Sequence, residues 1–136
     1  PSGTEPKIKA YVEVAGQPSD PREASELARD VRQLADAFVL MALGRGGVSL
    51  PRWALRIHDL VSVEDKVWFG ETVLPGLVAR LAEGGPESIH EGEAWLQRQL
   101  GRFGKDARAL FRPGVSAWMR ETDPPFARQA LGMFRR

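Results

Sequence analysis

With 136 residues, 43% of them apolar, the chain is long enough to bury one modest core or two small, mutually dependent lobes. A net charge of +1 is too small to argue for a nucleic-acid or membrane partner, and the absence of cysteine excludes disulfides, thiolate catalysis and cysteine-ligated zinc, as suits a reducing, cytoplasmic setting. No apolar run approaches the roughly 18 residues that span a bilayer, and no secretory leader opens the chain, so a soluble protein without a membrane partner is expected.

The chain opens Pro1-Ser2-Gly3-Thr4-Glu5-Pro6-Lys7, with two hydroxyl side chains on either side of a glycine. Glycine lets consecutive backbone N–H groups converge on one point, and the hydroxyls of Ser2 and Thr4 can donate to the same anion, with Lys7 and Lys9 adding positive charge. A polar turn at a chain end has the same composition. Pro6 holds Glu5 extended and leads into an alternating stretch, with Ile8, Ala10, Val12 and Val14 on one face and Lys7, Lys9, Tyr11 and Glu13 on the other. That period of two predicts a half-buried strand.

The run Pro1 to Lys7, continuing into Ile8-Lys9-Ala10-Tyr11-Val12-Glu13, resembles the phosphate-binding loop and following strand in the last domain of the α-D-phosphohexomutases, the phosphoglucomutase and phosphomannomutase superfamily. The resemblance implies that Ser2, Gly3 and Thr4 contact the phosphate of the sugar that is not being transferred, with Lys7 and Lys9 as further binding residues. It also implies an arginine before Pro1, and three earlier domains carrying the catalytic phosphoserine, the magnesium ligands and the sugar-recognition loop. No residue here matches those motifs, so the segment itself is expected to hold no catalytic residue, no metal and no cofactor. Magnesium and hexose phosphate belong, by the same implication, to the complete enzyme. A first residue other than methionine fits a piece cut from a longer polypeptide.

Asp20-Pro21-Arg22-Glu23 is a helix start: Asp20 can cap, Pro21 suits the first helical position and Glu23 the capping-box position. Apolar residues then recur at Ala24, Leu27, Ala28, Val31, Leu34, Ala35, Phe38, Met41 and Ala42, which predicts one long amphipathic helix. The opposite face, Arg22, Glu26, Arg29, Asp30, Gln33 and Asp36, is expected to be solvated. Gly44, Gly46 and Gly47 close the helix and mark a boundary. Strand followed by long helix also suits the end of the family's last domain, so the resemblance covers residues 1 to about 44.

Beyond the glycines the pattern is a series of helices. One is expected from Ser49-Leu50-Pro51 to about Val61, a second from Ser62, a third begun or kinked at Pro75, and a fourth after Pro86. Further segments are expected at 106–111 and 115–121, with a last one after Pro125. Trp53, Leu60, Trp68, Phe69, Trp95, Phe111, Trp118, Phe126 and Phe134 are among the apolar anchors assigned to a helical core. The fold class is therefore an α+β N-terminal fragment over 1–47 and an all-α region over 48–136, mainly α overall.

From Arg98 onward nine basic residues face three acids, a distribution that suits a solvated or docking surface. His58-Asp59 and His90-Glu91-Gly92-Glu93 have the composition of local surface pairs and lack the spacing of a zinc site. Two functions follow as expectations: the C-terminal segment of a phosphosugar mutase, inactive alone and working with the missing domains, or a non-enzymatic helical interaction module.

Overall fold

The structure is a computed structural model and describes residues 20–135. It divides into two compact units, Pro1–Leu50 and Pro51–Arg136. All regular structure among the described residues is helical. The strand expected over residues 7–14 lies outside them.

In the first unit, α1 runs from Pro21 to Arg45. Its start follows the predicted chemistry, since the Asp20 side chain accepts a hydrogen bond from the Glu23 N–H at 2.8 Å. At the other end the Val48 N–H donates to the Leu43 carbonyl at 2.9 Å and the Gly47 N–H to the Gly44 carbonyl at 3.1 Å, the paired bonds of a Schellman cap. Gly47 supplies the required left-handed backbone, with φ of 83°.

The faces of α1 differ from the expectation. Asp36, assigned to the solvated face, is buried together with Leu43, whereas Leu34, Phe38 and Met41 are 53%, 46% and 50% exposed. The physical reason lies in the last three turns, where Val39, Leu40 and Leu43 form a second apolar flank opposite the first. A helix apolar on both sides leaves periodicity unable to choose the inward one.

The second unit begins with a 3₁₀ turn, Arg52–Arg56. The helix expected to continue to Val61 stops here because the His58 N–H donates to the Leu110 carbonyl at 2.9 Å instead of continuing the local ladder. Ser62 then caps α2, Val63–Trp68, accepting from the Asp65 N–H at 3.1 Å. A π-helical turn, Phe69–Val73, joins it to α3, Leu74–Ala82. The widened turn falls just before Pro75, which has no N–H to give the helical ladder. Next come α4, Pro86–Leu100, and a 3₁₀ turn, Gly101–Phe103. The unit ends with α5, Ala107–Thr122, and α6, Ala127–Phe134.

The two segments expected at 106–111 and 115–121 are one helix, with Pro113 inside it. An interior proline costs about 3 kcal/mol, but Phe111, Val115 and Trp118 are all buried, and each contributes about 1.5–3 kcal/mol on burial, so packing outweighs the break. The 3₁₀ turn Arg52–Arg56 and α6 both pack on α5, while α3 packs on α4 and α6.

The core of this unit is aromatic. Phe69 stacks on Phe111 with centroids 4.4 Å apart and meets Phe134 edge-on at 5.9 Å. Phe103 adds an edge to Phe111 at 5.1 Å, and Trp68 reaches Phe103 at 6.1 Å. Two residues assigned to the core stand outside it: Leu60, 79% exposed on the turn after His58, and Phe126, 37% exposed in the α5–α6 loop. Both lie in turns, where no helical face directs the side chain inward.

Close approach of α5 to the segment after the first 3₁₀ turn requires a glycine at 114, because a Cβ there would overlap Ile57 Cγ1. Gly114→Ala should therefore destabilise by about 1–3 kcal/mol through overpacking. Gly132→Ala in α6, where a Cβ meets nothing within 4 Å, should stabilise by about 0.5–1 kcal/mol through helix propensity. Urea unfolding of the two variants, read by circular dichroism, checks the opposite signs.

Candidate functional site

The residues singled out for phosphate binding, Ser2, Gly3, Thr4, Lys7 and Lys9, lie outside the described residues. Among the described residues no group of three or more His, Asp or Glu side chains is placed to hold a metal ion. His58 uses its Nδ1 to accept the Leu60 N–H at 3.0 Å and so closes its own turn, and this bond, not one to Asp59, is its local role. His90 and Glu91 are exposed on α4, and Glu93 is tied to Arg108 at 2.9 Å.

The basic C-terminal stretch separates into two sets. Arg102, Arg108 and Arg112 are structural. Arg102 lies over Trp68 at 4.6 Å and Phe103 at 4.5 Å while pairing with Asp65 at 2.7 Å. Arg108 donates to the Met133 carbonyl at 2.8 Å and Arg112 to the Phe134 carbonyl at 2.7 Å, so two guanidinium groups satisfy the open carbonyl end of α6. Arg98, Lys105, Arg120, Arg128 and Arg135 are exposed.

Arg120 and Arg128 flank a surface cleft of about 620 Å³ formed by the end of α5, the start of α6 and the loop between them. Met119, Asp123, Pro124, Phe126, Ala127 and Gln129 complete its lining. Asp123 and Phe126 both have left-handed backbone, with φ of 41° and 62°, an arrangement that costs each about 1–3 kcal/mol and turns the Phe126 ring toward solvent. Two guanidinium groups beside an exposed ring can receive an anionic or aromatic surface. Sequence reasoning assigned Phe126 to the core; the Asp123-Pro124-Pro125 run marks a turn there, outside any helical face that would direct the ring inward.

A cleft of about 320 Å³ in the first unit is lined, among the described residues, by Leu40, Gly44, Gly47, Val48, Ser49 and Leu50, with Ser49 the one polar side chain among these. On α3 and α4, the Arg80 guanidinium lies 3.7 Å from the Trp95 ring centre and donates to the Gly76 carbonyl at 2.9 Å. The indole N–H of Trp95 is buried and has no hydrogen-bond partner. This cluster clamps α3 to α4.

Lys66 on α2 is 8% exposed, a charge that sequence reasoning did not single out. Burial pushes its pKa below the usual lysine value, and the negative charge of Asp59 opposes that shift without cancelling it. The unfolded chain therefore binds more protons than the folded one between the lowered value and the ordinary 10.5, and stability should rise with pH across that window. Lys66→Met should stabilise the protein at pH 7 by about 1 kcal/mol. The advantage over wild type should shrink as pH approaches 10.5, which thermal melts from pH 7 upward measure. Compared with known proteins, the chain matches no family model, no curated protein and no solved structure.

Proposed function

We propose that this chain is the C-terminal segment of a phosphosugar mutase, in which Ser2, Gly3 and Thr4 hold the phosphate that is not transferred. The observation that carries the proposal is the run Pro1 to Lys7 followed by the alternating residues 7–14. The capped 25-residue helix α1, in the expected place after that stretch, is consistent with it. In such an enzyme the catalytic serine and the magnesium ion act in earlier domains. The role of this segment is to grip the distal end of the hexose phosphate, where binding energy orients the reacting end. Lys7 and Lys9 add charge beside the cradle.

A second function, a non-enzymatic interaction module, is favoured by one observation: residues 51–136 build their own core around Phe69, Phe111 and Phe134 and present the Arg120–Phe126–Arg128 cleft at the surface. Under that reading the partner is a protein surface offering carboxylates beside apolar side chains.

NMR titration separates the two. Inorganic phosphate and hexose phosphates at millimolar concentration should shift the amides of Ser2, Gly3 and Thr4. Thr4→Ala should remove the shifts, and an arginine added before Pro1 should tighten binding about tenfold, in keeping with a charge-assisted hydrogen bond. No shift in either form of the chain rejects the mutase assignment and leaves the interaction module.

A further inference from the structure

The apolar residues that α1 leaves exposed, Ala24, Leu34, Phe38 and Met41, fall with the half-buried Leu27 and Val31 on a strict seven-residue repeat. Ala24, Leu27, Val31, Leu34, Phe38 and Met41 are spaced alternately by three and four, the seam of a two-stranded coiled coil. Asp36 and Leu43, the buried residues of the helix, lie diametrically opposite, so the seam faces away from the side that is already covered. Ala28, Ala35 and Ala42 border the seam along one edge and leave room for a second helix to approach closely.

We propose that α1 pairs with α1 of a second copy of this chain in antiparallel orientation. Size and charge both select that occupant and that direction. Antiparallel pairing sets Ala24 opposite the partner's Met41, Leu27 opposite the partner's Phe38, and Val31 opposite the partner's Leu34, so that the smaller residue of each pair meets a larger one and Phe38 never meets Phe38. Parallel pairing would set Phe38 against the partner's Phe38 and leave a gap where Ala24 meets the partner's Ala24. The seam ends in Asp20 at one extreme and Arg45 at the other, so two antiparallel copies close with two opposite-charge pairs, whereas two parallel copies bring like charges together. Asp20 caps its own helix through Oδ1, which leaves Oδ2 for the partner's guanidinium.

A 25-residue helix offers a strip about 38 Å long and about 10 Å wide, or about 760 Å² over both copies. That is below the roughly 1,000 Å² of a stable interface, so the dimer is a weak one, in the micromolar range.

Analytical ultracentrifugation of the full chain from about 1 to 500 μM should show a reversible monomer–dimer equilibrium. Phe38→Asp and Leu34→Lys should each raise its dissociation constant at least tenfold without lowering the melting temperature of the monomer. Because the chain has no cysteine, Ala24→Cys and Met41→Cys chains report direction directly: mixed and oxidised, they should cross-link to each other and not to themselves. A chain that is monomeric at every concentration overturns the proposal, and a lower melting temperature for Phe38→Asp would then assign the seam to another part of the same chain. Cross-linking of Ala24→Cys to itself overturns the antiparallel pairing.

Discussion

The second unit depends on the stack of Phe69 on Phe111. Phe69 stands on the π-helical turn, Phe111 on α5 and Phe134, which closes the cluster edge-on, near the end of α6. Three elements remote in sequence are thereby fixed by one buried group of rings, and each ring carries apolar area equivalent to a few kcal/mol. The neighbouring irregularities follow from that demand. The π turn begins at Phe69 and re-phases α3, which follows it, against α2, and Pro113 stays inside α5 because the residues on either side of it are held by the core.

Electrostatics in this unit serves mainly to close the helices. Arg108 and Arg112 are used on the carbonyl end of α6, and Arg102 lies against the aromatic rings of Trp68 and Phe103 while pairing with Asp65. Counting positive residues from Arg98 onward therefore overstates the charge available to a partner. What remains at the surface near the α5–α6 loop is the pair Arg120 and Arg128 beside Phe126. Lys66 is the counter-example, a buried cation eased only by the charge of Asp59, and its cost falls on stability.

The two halves of the functional problem rest on different physics. A phosphate cradle is local chemistry, written in a handful of consecutive residues, and the proposal for Ser2-Gly3-Thr4 rests on that run alone. An interface is collective, and the α1 seam became visible only when the exposure of Leu34, Phe38 and Met41 was set against the burial of Asp36 and Leu43.

The sequence by itself determined the helix ends: Asp20 and Ser62 as caps, Gly47 as the left-handed residue after α1, and Pro86 as the opening of α4. These depend on hydrogen bonds and backbone angles within a few residues, which is why they can be read locally. The tertiary structure decided that the segment after Pro51 stops as a 3₁₀ turn, that α5 runs through Pro113, that Phe126 and Leu60 stay outside, and which flank of α1 is buried. The first two were settled by a partner distant in the chain, the Leu110 carbonyl for His58 and the aromatic core for α5, the exposure of Phe126 and Leu60 by their place in turns, and the last by the choice between two apolar flanks. Side-chain spacing along one segment carries no information about such partners.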